Sequence, residues 1–406
     1  MNKKLVAVAV AGLFAAPISA LAQSSVTISG VLKQSFENAS LGNYGGGGAG
    51  RPAGGKSSQY GLADDSSRII FNVVEDLGGG MQAIGQMDIR IKPDDGGATP
   101  AAVSAANNTG NLVNGNSHVG LRSKTWGRIF FGRQDLHYFN TESNMTAKAN
   151  SLRADPISLI AYGAAYGAAG AAVNGGVAIA NATRTQNVVH YTTPNWSGFT
   201  AIVAYSSNPS GTDADINSVV RRGYAWNVNP NYAAANWQVG YSYWKSKPDA
   251  TTAVSLATAA TGDQRSDRIY GSYTFGFGLK IGGAWDRSKI TAGGVGGNGT
   301  TLSKRDVWSI PIGYYFGNHN INFHYTWAQK DKAPGANGLD TKADMWAIGY
   351  AYDLSKRTSV GVTYASINNH TNAGYNFFTG GSLGNNGSVL AGEDPKLFAA
   401  TLRHAF

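Results

Sequence analysis

The chain has 406 residues, no cysteine, 14% charged side chains and a formal net charge of +9. The lack of cysteine argues against a disulfide-stapled secreted scaffold, and the charged fraction lies below the ~25% of ordinary soluble domains. Lysine and arginine are scattered along the chain, so nucleic acid is not an expected partner.

Residues 1–22 have the pattern of a secretory signal peptide. Two lysines precede an apolar stretch from Leu5 to Ala16, and the segment ends on the small-residue site Ala20-Leu21-Ala22. This pattern predicts export and cleavage before Gln23. A transmembrane anchor is the alternative, but the apolar stretch is shorter than the ~20 residues that a membrane helix needs.

The rest of the chain alternates between apolar and polar residues with a period of two, which is typical of half-buried strands. In residues 320–327, isoleucine, phenylalanine, tyrosine and tryptophan share one face, while asparagine, histidine and threonine share the other. Sixteen strands are predicted at 24–37, 67–76, 80–92, 115–123, 126–134, 185–193, 197–206, 218–228, 231–247, 265–275, 278–290, 304–316, 319–330, 341–353, 358–369 and 396–406.

The predicted connections alternate between short and long. The seven short ones are rich in glycine, proline and asparagine and lie at 76–80, 123–125, 194–196, 229–231, 275–278, 316–318 and 353–356. The eight long ones are 38–66, 93–114, 135–184, 207–217, 248–264, 291–303, 331–340 and 370–395. Short turns on one rim and long loops on the other are typical of outer-membrane barrels. A β-sandwich with long loops is the soluble alternative.

The carboxy terminus supports a closed barrel. The last strand ends on Phe406 with no polar tail, and Phe406 shares its apolar face with Phe398 and Leu402. A last strand in lipid must be paired, because an open sheet edge in hydrocarbon leaves polar groups unsatisfied. We therefore predict an all-β fold, a transmembrane 16-stranded antiparallel β-barrel over residues 23–406.

The longest connection, residues 135–184, has two contrasting halves. Its start is polar and charged, while Leu159 to Ala182 consists almost entirely of alanine, glycine, valine, isoleucine and tyrosine. Loops of this length are usually functional. Such a small and apolar segment is better placed inside the barrel than in water, although an ordinary extracellular loop remains the alternative.

An ordered set of motifs resembles the trimeric general-diffusion porins of Gram-negative bacteria. The matching segments are Ser24–Val31, Ser67–Phe71, Glu75–Gly80, Val119–Leu121, Gly127–Gln134, Tyr191–Phe199, Asp353–Thr358 and Arg403–Phe406. This resemblance implies a homotrimer in the outer membrane and a third loop folded inward to constrict the pore. It also implies that Phe406 is an assembly signal.

The resemblance further implies arginines on the barrel wall opposite acids on the third loop. Arg68 matches one wall arginine, and Arg184 matches another that the anion-selective members carry. A third falls at Asn116, so that part of the basic ladder is absent here. Lys33 stands where many relatives have a carboxylate, and His190 stands where many have arginine.

Alternation gives the pore lining independently, because a lysine or arginine facing lipid near midplane costs about 2–4 kcal/mol. Each basic residue has an alternative placement near a rim, where it would bind lipopolysaccharide phosphate. The predicted pore-lining residues are Lys33, Arg68, Asp88, Arg90, Asn116, His118, Arg122, Arg128, Arg184 and His190 on the wall, with Glu142 and Asp155 on the loop.

These features predict a water-filled channel for passive diffusion of ions and small hydrophilic solutes. Six wall cations against four carboxylates on wall and loop predict a preference for anions. A channel for small organic anions is one alternative, and an outer-membrane barrel enzyme is another. No catalytic histidine or serine motif is present, so we expect neither enzymatic activity nor a cofactor or metal. Outer-membrane lipid and lipopolysaccharide are expected partners.

Overall fold

The computed structural model describes residues 24–44, 56–94, 113–141, 148–161, 184–209, 223–247, 263–291, 299–378 and 389–406. The predicted signal peptide, Glu142 and most of the apolar half of the third loop lie outside them. The strands are β1 (Ser25–Gly42), β2 (Ser58–Asp64), β3 (Arg68–Gly78), β4 (Met81–Arg90), β5 (Ser117–Ser123), β6 (Gly127–Asp135), β7 (Arg184–Thr192), β8 (Phe199–Ser206), β9 (Tyr224–Ala233), β10 (Trp237–Lys247), β11 (Asp263–Thr274), β12 (Leu279–Thr291), β13 (Thr301–Phe316), β14 (His319–Ala328), β15 (Ala343–Asp353), β16 (Thr358–Asn369) and β17 (Asp394–Ala405).

The seventeen strand segments form one closed antiparallel barrel of sixteen strands, as predicted. The segments β2 and β3 both pair with β1 and together make the second barrel strand. Asp64 lies opposite Gln34 and Arg68 lies opposite Val31, so three residues on the second strand face two on β1. This extra residue is a β-bulge, which bends the strand and changes the face of its side chains.

The observed bounds of the second strand and of the first loop differ from the predicted ones. The prediction began the second strand at residue 67 and assigned residues 38–66 to a loop. The structure instead continues β1 to Gly42 and begins the second strand at Ser58. The polar sequence Ser58–Asp64 has an apolar outer face, since Tyr60 and Leu62 are exposed.

The barrel is closed by the pairing of β1 with β17. Val31 lies opposite Ala405 and Gly42 lies opposite Asp394, with an unbroken register between them. Phe406 and Gly30 add two backbone hydrogen bonds beyond the last paired residues. No strand edge is therefore left at the junction of the two termini, as a barrel in hydrocarbon requires.

Side chains alternate between the two faces of the wall. On β14 the asparagines, His324 and Thr326 are buried inside, whereas Ile321, Phe323 and Tyr325 are exposed outside. This confirms the predicted alternation. Among the described residues, no helix is both long and apolar enough to cross a membrane.

Six of the seven predicted short turns join consecutive strands, but the turn predicted at 229–231 is wrong. Those residues lie inside β9, where Pro230 is opposite Ala201 of β8. The ladder from β9 to β10 skips Asn229 and Pro230. Proline has no N–H to donate, so it is tolerated at this gap. The turn itself lies at 234–236, closed by a hydrogen bond from Ala234 N to Trp237 O.

Candidate functional site

The third loop, residues 136–183 between β6 and β7, is folded against the inner wall in the described parts. Its first part, Leu136 to Thr141, includes the short helix α1 (Tyr138–Thr141) and is buried against β10, β11 and β12. The His137 ring lies 2.8 Å from Ser242 Oγ and 2.9 Å from Ser266 Oγ. Burial lowers the pKa of His137 well below its usual 6.5, and the charge of Arg268 lowers it further.

A second part of the loop, residues 148–154, is attached to β1 and β16. Ser151 N donates to Thr363 Oγ1 at 3.2 Å. Arg153 Nη1 forms an ion pair of 2.6 Å with the buried Glu37 carboxylate of β1. The wall offers glycines where the loop passes: a Cβ at Gly349 would overlap the Asn150 side chain.

A third part of the loop lies against β13 and β14, and includes the short helix α2 (Ile157–Ile160). His324 of β14 lies 2.6 Å from Ala154 O, and Arg305 Nη2 of β13 donates to Ile160 O at 2.9 Å. In its described parts, the third loop is thus folded inward, as predicted. These parts lie against β10 to β16 and β1.

The described start of the eighth long loop, residues 370–378, also folds inward, which sequence reasoning missed. Tyr375 and Phe377 are almost fully buried, and Phe378 N donates to Ser158 Oγ of the third loop at 2.8 Å. Arg305 Nη1 donates to the Tyr375 hydroxyl at 2.8 Å. The signal that could have revealed this packing is the run of aromatic residues within a glycine- and asparagine-rich loop.

The opposite arc of the inner wall, on β3 to β7, carries a cluster of arginines and aspartates. Arg90 binds Asp88 with a contact of 2.9 Å from both Nε and Nη2, and Arg68 lies 3.7 Å from the same carboxylate. Arg184 Nε donates to Asp135 Oδ1 at 2.8 Å. The side chains of Arg68, Arg184 and Asp135 remain partly accessible.

Arg133 belongs to this cluster although alternation with Ile129 and Phe131 would turn it outward. It is partly buried and lies within electrostatic range of Arg184, Asp135 and Asp88. Gly132, with φ of 153°, interrupts the regular strand just before it, and the register with β7 shifts there. The cluster's four cations, hereafter the arginine wall, are Arg68, Arg90, Arg133 and Arg184.

Asn116 lies between the two acids of the cluster. Its side-chain amide donates to Asp135 Oδ2 at 2.8 Å, and its backbone N–H donates to Asp88 Oδ2 at 3.3 Å. The ladder therefore lacks an arginine at Asn116, as the sequence shows, but Arg133 adds a cation to the same cluster. The arginine wall has two more cations than the cluster has carboxylates.

Four further predicted residues form a separate group around Phe130, nearer the short turns. The ring of Phe130 is stacked between His118 at 4.2 Å and His190 at 4.3 Å between centroids. The Arg128 guanidinium lies 5.0 Å from the Phe130 centroid. Arg122 Nε donates to Gln82 Oε1 at 2.6 Å, so this group adds positive charge toward the short-turn rim.

Two predicted pore residues are engaged in local contacts. Lys33 lies beneath the third loop, where its Nζ forms a 3.1 Å ion pair with Asp65 and donates to Asn150 O. Asp155 Oδ1 accepts from Ile157 N at 2.8 Å at the start of α2. Sequence reasoning missed Glu37 and Asp65, which neutralise Arg153 and Lys33. The predicted count of six wall cations against four carboxylates must therefore also include these two carboxylates.

A closed barrel with an apolar outside, a polar inside and a loop folded within it defines an outer-membrane channel. The chain belongs to the Gram-negative porin family, whose model matches residues 7–372. It is a passive-diffusion channel of the outer membrane.

Individual relatives agree with this assignment. The chain is 29% identical over 415 residues to outer membrane porin protein 32 of Delftia acidovorans, with complete coverage of both chains. It is 28% identical to an outer membrane porin protein of Bordetella pertussis over 75% of this chain and 78% of that one.

Solved structures share the fold. An anion-selective porin from Comamonas acidovorans has a TM-score of 0.67 at 22% identity, covering 95% of this chain and 100% of that one. The trimer form of an outer membrane protein of Vibrio cholerae has a TM-score of 0.59 at 14% identity, covering 94% and 99%.

Proposed function

We propose that the channel favours anions and that the arginine wall sets this preference. The observation that carries the proposal is that this cluster, among the described residues, has two more cations than carboxylates. The described third loop approaches the cluster at Phe139, whose ring centroid lies 5.6 Å from the Arg184 guanidinium. Charges lining a narrow pore attract ions of opposite sign and are only partly screened at physiological salt.

The position of the wall supports the proposal. The described parts of the third loop are attached to β1 and to β10–β16, and we infer that the passage lies between them and the strands that carry the arginine wall. Arg122 and Arg128 extend the positive lining toward the short-turn rim. Anion selectivity is also the property named for the Comamonas acidovorans porin.

The test is the reversal potential of single channels in a planar bilayer under a KCl gradient. We expect a sign that shows chloride to be more permeant than potassium. Substituting Arg68→Glu together with Arg184→Glu should move the reversal potential toward potassium. A wild-type channel that favours potassium, or a double variant with unchanged selectivity, would contradict the proposal.

We also propose that the protein assembles as a homotrimer through the outer face of β17 and β1 to β6. More than half of the surface of each of seven apolar side chains is exposed there: Val26, Ile28, Tyr60, Leu62, Val119, Phe131 and Leu402. The trimeric Vibrio cholerae relative supports this state.

Electrophoresis without heating should show a trimer that becomes a monomer on boiling. A monomer alone, in a detergent that preserves porin trimers, would oppose it.

A further inference from the structure

Four basic residues form a single row across the outer face of β10 to β13. Lys245 lies opposite Arg265 on the neighbouring strand, Arg265 lies opposite Lys289, and Lys289 lies opposite Lys304. All four are exposed. We call these four residues the cation row. Adjacent strands are about 4.8 Å apart, so the row extends over roughly 14 Å.

Such a row is unfavourable without an anion. Like charges directly opposite each other on paired strands destabilise a sheet. Arg265 is balanced by Asp267, with contacts of 2.9 and 3.3 Å. Within the described part of the chain, Lys245, Lys289 and Lys304 form no side-chain ion pair or hydrogen bond.

Nearby acids are occupied by other cations. Asp306 accepts from Arg287 at 2.6 Å and from Lys332 at 2.9 Å. Asp263 lies 3.4 Å from Lys247. These carboxylates therefore leave the three lysines of the row with uncompensated charge on the outer surface.

The height of the row on the barrel identifies the surroundings. Each of its residues is within three positions of a strand end that leads into a long loop. The same strands carry Tyr241, Ile269, Trp285 and Trp308 two layers closer to the barrel middle. Tyrosine and tryptophan mark the boundary between the hydrocarbon and the headgroups of a membrane, and the row lies beyond that boundary on the side of the long loops. Because long loops are extracellular in such barrels, the row lies at the outer-leaflet headgroups.

We propose that the cation row binds the phosphates of the lipid A moiety of lipopolysaccharide, with Lys245, Lys289 and Lys304 as the phosphate ligands. A lipid headgroup with more than one phosphate can bridge several lysines of such a row, and its acyl chains lie against the aromatic and apolar layers below. The row is also outside the apolar arc of β17 and β1–β6, so it remains facing lipid in the proposed trimer.

The experiment compares native protein purified from the outer membrane with the variant Lys245→Gln/Lys289→Gln/Lys304→Gln. The control variant Lys124→Gln/Lys356→Gln/Arg357→Gln removes three exposed charges from the opposite, short-turn rim. Delipidated samples are titrated with lipid A, with dephosphorylated lipid A and with inorganic pyrophosphate, and the apparent melting temperature is measured.

We expect lipid A to stabilise the wild-type and control proteins and to bind the row variant roughly 100-fold more weakly, since each lysine near an anionic headgroup contributes substantially to binding. Equal stabilisation of the row and control variants would overturn the proposal. Equal stabilisation by dephosphorylated lipid A would show that acyl chains suffice, and equal stabilisation by pyrophosphate would show a site for free phosphate; either result overturns it.

Two channel measurements distinguish a loss of lipid A binding from misfolding and from a change in anion selectivity. The row variant should retain wild-type conductance and reversal potential, because its residues lie outside the pore. A row variant that conducts normally but has lost lipid A binding supports the proposal even if the channel proves to favour cations.

Discussion

Gly30 and Phe406 exchange two backbone hydrogen bonds of 3.1 Å where the last strand meets the first. The two residues also fit each other in side-chain size. A Cβ at Gly30 would overlap the Phe406 ring and lie 2.6 Å from Arg68 O. The aromatic terminus therefore packs into a space that exists only because residue 30 has no side chain.

Replacing Gly30 with valine should impair barrel closure. Overpacking of this kind costs about 1–3 kcal/mol or more. Here the cost falls on the pairing of β1 with β17, which closes the barrel. Refolding yield in detergent, followed by heat-modifiable electrophoresis, measures the effect. Gly283→Val is the matched control, because a Cβ at Gly283 of β12 meets no atom within 4 Å. Equal yields from the two variants would show that the space at Gly30 is unimportant.

Deleting Phe406 should block assembly more than conduction. The deletion removes both hydrogen bonds to Gly30 and the ring that fills the space above it. We expect the truncated protein to accumulate in the periplasm or be degraded, as fractionation and immunoblotting would show. Phe398→Ala, which removes another outward aromatic side chain from β17, should leave membrane levels near normal. Wild-type surface levels of the truncated protein would contradict the assignment of an assembly signal.

Arg133→Gln should make the channel less selective for anions. One charge a few ångströms from a permeating ion is worth about 1 kcal/mol in water, so the chloride-to-potassium permeability ratio should fall roughly fivefold at low salt. The effect should diminish near 1 M KCl, where the Debye length is about 3 Å. Arg357→Gln, at an exposed turn, serves as control. An unchanged reversal potential in Arg133→Gln would place this side chain away from the permeation path.

Arg153→Leu should loosen the third loop. It removes the cation that pairs with the buried carboxylate of Glu37, and breaking a buried pair typically costs about 3–5 kcal/mol. We expect a lower melting temperature and larger open-channel current noise. The double variant Glu37→Leu/Arg153→Leu should recover much of the stability, whereas Lys148→Leu, at an exposed position on the same loop, should have little effect. No recovery in the double variant would indicate that the ion pair is not the source of the loss.

Acidification should weaken the attachment of the loop at His137. Burial, aided by Arg268, lowers the pKa of His137 in the folded protein below 6.5. The unfolded chain therefore binds a proton that the folded protein does not, and stability falls as pH drops below about 6.5. The loss of melting temperature between pH 7 and pH 5 should be smaller in His137→Asn than in the wild type. Equal losses would show that other groups govern the acid response.

Alternation alone was enough to predict the strands whose two faces meet lipid and water, such as β14. It failed where the backbone departs from the regular ladder. The bulge at residues 65–67 concealed the polar segment β2, and Gly132 concealed the position of Arg133. Pro230 suggested a turn because proline has no N–H to donate within a strand ladder. The sequence does not show that the ladder from β9 to β10 skips this position, where proline is tolerated. The inward packing of Tyr375 and Phe377 depends on contacts with the third loop, which no local pattern contains.

The described parts of the third loop are attached to one arc of the barrel, while the arginine wall lies on the other. The attachment of the loop and the charge of the wall are therefore encoded by different sets of residues. Replacing an arginine of the wall with a neutral side chain of similar size should change which ions pass while the loop stays in place, and substitutions at the loop attachments should displace the loop while the charge of the wall is unchanged. Ion selectivity and loop position can thus be engineered separately.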